Sequence, residues 1–101
     1  MASRLNLQSK LEELLGSSNV YYKSPESKKM EYPAIKYSLD KIDKKSADDT
    51  AYLLNKRYEI IVISKKPDHP VINKLLQLPM CSYERQYVSD NLYHDVLTLY
   101  Y

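Results

Sequence analysis

The run YEIIVI, Tyr58–Ile63, decides how this chain is read. Side chains alternate across a strand, so Tyr58, Ile60 and Val62 form one row and Ile61 and Ile63 the other. Both rows are apolar. A strand with two apolar rows is buried on both sides and belongs in the middle of a sheet. It ends a longer stretch, AYLLNKRYEIIVIS (Ala51–Ser64), whose second half carries the strand signal.

Upstream, YPAIKYSL (Tyr32–Leu39) puts Ile35, Tyr37 and Leu39 on one face and Ala34, Lys36 and Ser38 on the other, a half-buried strand. Pro33 lacks an amide donor, which places it at the strand's start or at an edge. Between the two strands, DKIDKKSADDT (Asp40–Thr50) is charged and poor in apolar side chains. It is expected to be the longest loop. Asn19–Lys23 (NVYYK) is a possible short strand, and Ser24–Glu31 (SPESKKME) a polar loop.

Two segments have helical period. Over Asn6–Leu15, Leu7, Leu11, Leu14 and Leu15 form one stripe, and Gly16, the only glycine, follows as a left-handed C-cap. After a turn at Lys65–Asp68, Asp68 is the expected N-cap of a second helix. Pro70 lies in its first turn, Val71, Ile72, Leu75, Leu76 and Leu78 form its apolar side, and Pro79 stops it. Cys81–Val88 alternates with Tyr83, Arg85 and Tyr87 on one face. Ser89–Asn91 is a turn, and Leu92–Tyr101 is the last strand. On it Tyr93, Leu97, Leu99 and Tyr101 share one face, and Leu92, Val96 and Tyr100 the other.

The order is α-β-β-β-α-β-β. The short connections favour antiparallel pairing. The expected fold is α+β: one domain over residues 1–101, with a single antiparallel sheet of four to five strands and two helices on one face.

Composition narrows the function. The 101 residues carry 15 Lys+Arg against 13 Asp+Glu, a net +2. That balance disfavours a dedicated nucleic-acid binder. The lysines at 41, 44 and 45 are interleaved with Asp40, Asp43, Asp48 and Asp49, and read as a solvated face. No apolar run reaches the roughly 18 residues of a membrane helix, so no membrane association is expected. One glycine leaves no phosphate-cradling loop. One cysteine leaves no internal disulfide and no cysteine-based zinc site. A Cys81–His94 nucleophilic pair is formally open, but a structural cysteine and a hydrogen-bonded sheet histidine are the favoured readings. His94 and Asp95 are adjacent on a strand and point to opposite faces. Asp48 and Asp49 read as a loop tip or a cap. No enzyme activity, cofactor or metal is expected.

The chain has 11 tyrosines and neither phenylalanine nor tryptophan. A ring with a polar tip suits half-buried sheet faces and subunit interfaces. Packing within the sheet accounts for most of them. Of the adjacent Tyr100 and Tyr101, one should project away from the core. Five residues are expected at a subunit interface: Arg85 first, then Asp48, Asp49, Tyr93 and Tyr101. The alternative for Arg85 is a salt bridge to Glu59 or Asp95 within its own sheet.

The segments YPAIKYSLD (Tyr32–Asp40), ADDTAYLLNKRYEIIVI (Ala47–Ile63), PDHPVINKLLQLP (Pro67–Pro79) and YERQYVSDNLYHDVLTLYY (Tyr83–Tyr101) carry a resemblance. They resemble small structural proteins of tailed bacteriophages: tail terminator, tail completion and neck proteins. The final segment is the most specific, with its Asp-Asn turn, Leu-Tyr-His-Asp and tyrosine-rich end. The resemblance implies a protomer made in the host cytoplasm that forms a ring, typically a hexamer, in the virion. The ring would cap the tail tube, meet the head-tail connector proteins, and let DNA pass through its lumen without sequence readout. Two other readings remain open: a head-completion or connector subunit, and a small regulatory protein-binding module.

Overall fold

The computed structural model describes residues 4–23, 31–47 and 51–101, with side chains placed for all of these except 45–47 and 51–54. The element order is α1 (Arg4–Leu15), β1 (Val20–Tyr22), β2 (Ala34–Ala47), β3 (Ala51–Ser64), α2 (Pro70–Leu76), β4 (Cys81–Ser89) and β5 (Leu92–Tyr100). The strands form one five-stranded sheet in the order β1-β2-β3-β5-β4. This is the expected α+β fold, with YEIIVI in the central strand.

The core lies between the sheet and the two helices. Leu7 and Leu11 of α1 and Val71 and Leu75 of α2 meet Ile35, Tyr37, Tyr58, Ile60, Val62, Leu97 and Leu99 from one face of the sheet. Each such leucine contributes about 1.5–3 kcal/mol by leaving water. The opposite face carries Ile61, Ile63 and Val96, of which Ile63 and Val96 are buried. That second apolar row is why β3 sits in the middle. Gln8 ties α1 to the sheet, donating to the Val20 carbonyl at 3.0 Å and accepting from the Tyr37 hydroxyl. The chain leaves α1 through Gly16 at φ +82°.

One pairing differs from the expected all-antiparallel sheet. β1 runs parallel to β2, with Val20 opposite Ile35 and Tyr22 opposite Tyr37. Residues 23–33 separate the strands, long enough for a return rather than a hairpin.

A larger difference lies in Asp40–Thr50. Its described part, Asp40–Ala47, is strand and not loop. β2 and β3 pair along their whole length, from Ala34 opposite Ile63 to Ala47 opposite Ala51. β5 stops opposite Arg57, and β1 accompanies β2 only as far as Tyr37. Beyond these points β2 and β3 continue as a two-stranded arm. Lys41–Ala47 spans roughly 23 Å at about 3.3 Å per residue, within a molecule whose longest axis is 51 Å. Charge density argued for a loop, but pairing with β3 supplies the hydrogen bonds that a charged backbone would otherwise take from water. A bulge at Asp40 marks the root of the arm, between Leu39 and Lys41. There both Nε and a terminal nitrogen of Arg57 reach Asp40 Oδ2 at 2.8 Å.

α2 also starts one residue later than expected. Its N-cap is His69, whose Nδ1 accepts from the Val71 amide at 3.1 Å; Asp68 is not the cap. The helix ends at Leu76, before Leu78.

Candidate assembly surface

β4 is an edge strand. It pairs with β5 on one side, and every residue from Ser82 to Ser89 is exposed. Four of the large apolar side chains that meet solvent are gathered here: Met80 (67% exposed), Tyr83, Tyr87 and Val88 (60%). Edge strands are ready templates for pairing with another chain, and natural proteins commonly blunt them with charges and bulges. β4 carries both, since its bulge falls at Glu84, between Tyr83 and Arg85.

The bulge corrects the sequence reading of this strand. Tyr83, Arg85 and Tyr87 do not share a face. Tyr83 stands opposite Leu97, on the helix side, whereas Arg85 stands opposite Val96 and Tyr87 opposite His94, on the far side. One extra residue reverses the alternation for the rest of the strand.

Asp95 holds this arrangement. It is 1% exposed, and its Oδ1 accepts from Tyr83 Oη at 2.7 Å and from Gln86 Nε2 at 2.9 Å. The two donors flank the bulge. Gln86 Nε2 also reaches the Pro67 carbonyl at 3.1 Å, joining β4 to the loop before α2. Bonding to Asp95, helped by burial and by the carboxylate charge, pushes the Tyr83 hydroxyl up to about 12. Sequence reasoning missed this cluster. The spacing of Tyr83, Gln86 and Asp95 has no period that suggests contact, because the bulge creates it.

The expected interface residues fall in different places. Arg85 is exposed, and its guanidinium lies 5.8 Å from the centre of the Tyr87 ring. Asp95, one of its two anticipated partners, lies on the helix side, where its Oδ1 accepts from Tyr83 and Gln86. Tyr93 is half-buried, opposite Ser64 and Val88. Tyr101 packs against the core cluster, so it is not the projecting tyrosine. Tyr100 stands opposite Arg57 on the other face and has that role. Asp48 and Asp49 lie outside the described residues.

Cys81 and His94 are on opposite faces of the sheet. Cys81 packs against the core, where burial pushes its thiol up from the usual range. The His94 ring stacks on Tyr87 with centroids 4.7 Å apart, and its Nδ1 lies 3.1 Å from the Leu92 carbonyl. A pocket of about 290 Å³ opens at the Tyr32–Pro33 turn, lined also by Ser64, Lys65, Lys66 and His69. The His69 nitrogen that faces α2 is already committed to capping the helix. Among the described residues no three His, Cys, Asp or Glu side chains come together as a metal site, and no helix is long and apolar enough to cross a membrane.

No protein-family model matches the chain, and no curated protein matches it.

Proposed function

We propose that this chain is a structural subunit of a tailed-bacteriophage virion. Copies would form a ring, hexameric as the sequence resemblance implies, at the head-proximal end of the tail. The ring would cap the tail tube and meet the head-tail connector. One observation carries the reading beyond resemblance. A single protomer presents two unlike strand edges, the β2–β3 arm at one side and β4 at the other. Contacts between two different patches are head-to-tail, and they close into rings when the rotation between subunits allows. The functional groups in this reading are backbone edges and their flanking side chains.

The test is native mass spectrometry of the purified protein, followed by electron microscopy after mixing with polymerising tail-tube protein. A closed oligomer that limits tube length supports the proposal. A protein that stays monomeric at all concentrations, with and without tube, overturns it. An oligomer that ignores tubes but binds the connector moves the subunit to the head side of the joint.

A further inference from the structure

The outer edge of the arm and the edge of β4 match each other. Among the described residues no strand accompanies β2 beyond Tyr37, where the Lys23 amide makes the last bond to the Tyr37 carbonyl. Lys23 itself has φ 48°, outside the strand conformation. The edge left over, Leu39–Ala47, is as long as the nine residues of β4. A two-stranded ribbon is marginally stable by itself in water, so an arm of this length gains most from a third strand. Ile42, on the arm, is 49% exposed.

Direction and charge agree with length. β2 is antiparallel to β3, β3 to β5 and β5 to β4, so β4 runs opposite to β2. A second copy in the same orientation, placed beside the arm, brings its β4 antiparallel to β2. With Ser46 opposite Cys81 and Glu84 left as the extra residue of its bulge, Lys44 comes opposite Tyr83, Asp43 opposite Arg85 and Lys41 opposite Tyr87. The Asp43–Arg85 pair is also correct in facing. The bulge at Asp40 puts Asp43 on the side of the sheet away from the helices, and the bulge at Glu84 puts Arg85 on that same side. Losing one bulge while keeping the other would turn the two residues to opposite faces. Within one protomer Asp43 meets Lys41 at 3.4 Å, in a solvent-facing contact that is worth little.

We propose that β4 of one copy adds to the outer edge of β2 in the arm of the next. The sheets of successive subunits then become continuous, with Arg85 of one copy paired to Asp43 of its neighbour. The arm's position beyond the body of the sheet staggers each copy against the last, and a closed sheet requires such a stagger. This inference rests on the ring-forming reading and specifies its contact.

The test is charge reversal and rescue at exposed Arg85 and half-buried Asp43. Arg85→Glu and Asp43→Arg should each raise the concentration for half-assembly on the order of tenfold or more, because like charges are forced together. The double variant Arg85→Glu/Asp43→Arg should recover assembly, and circular dichroism should show every variant folded like the parent. A parent that assembles while the single variants assemble equally well, or while the double variant fails to recover, overturns the proposed contact and leaves the ring. A parent that never assembles overturns both.

Discussion

Tyr83 and Asp95 are joined across the bulge of the edge strand, with the phenol donating to Oδ1 at 2.7 Å. That bond, with the one from Gln86, fixes which side of the sheet Arg85 faces. Asp95 Oδ2 is buried with no hydrogen-bond partner among the described residues, so Oδ1 takes all the solvation that protein groups supply. Tyr83→Phe should cost about 1 kcal/mol, below the usual range for a bond to a charged group because the tyrosine is itself partly exposed. Gln86→Ala should cost a similar amount. The double variant leaves the carboxylate stranded, and its loss should exceed the sum of the two. Urea denaturation at neutral pH measures all three.

The same pair sets an alkaline limit. The Tyr83 hydroxyl is raised to about 12 in the folded protein, against roughly 10 when unfolded. A raised value contributes stability that is fully present below about pH 10 and lost as pH rises through the folded value. Tyr37 and Tyr58 are raised by burial and act in the same direction. Unfolding free energy should therefore fall steadily above about pH 10. Tyr83→Phe should flatten part of that slope in denaturation curves taken across the range.

On the acid side the sensitive group is His69. Its Nδ1 must be unprotonated to accept from the Val71 amide, and burial, then Lys74 and Lys66, lower its affinity for a proton. A lowered value contributes stability that is present above the unfolded value of about 6.5 and lost as pH falls through the folded value. His69→Asn keeps a capping acceptor that does not titrate. It should remove this part of the acid dependence, whereas His69→Ala should cost about 1 kcal/mol at neutral pH. Thermal melts between mildly acidic and neutral pH distinguish the two.

Gly16 offers a purely conformational test. A Cβ built there meets nothing within 4 Å, yet φ is +82°. Gly16→Ala should therefore cost about 1 kcal/mol through backbone strain alone. Packing within α1 gives a contrasting pair. Leu11→Ala, at a fully buried position, should cost about 2–5 kcal/mol. Leu5→Ala, at a position 66% exposed, should stay within about 0.5 kcal/mol. Chemical denaturation of the three variants checks all of these values.

Local pattern was enough for the elements that repeat. The Leu7–Leu11 stripe, the double apolar rows of Tyr58–Ile63 and the alternation of Ile35 and Tyr37 each bury one side of a regular structure, so period alone reveals them. Gly16 ended its helix for an equally local reason, since few other residues adopt a positive φ cheaply. Tertiary structure decided the rest. Asp40–Ala47 is a strand because β3 lies beside it, and no property of its own charged residues required that. Arg85 faces away from the helices because Asp95, on another strand, draws Tyr83 and Gln86 to one oxygen and leaves Glu84 bulged between them. A helix stripe or a strand alternation is set by neighbours a few residues away. Strand partners, bulges and the direction of a free edge are set by residues distant in sequence, and only folding brings those together.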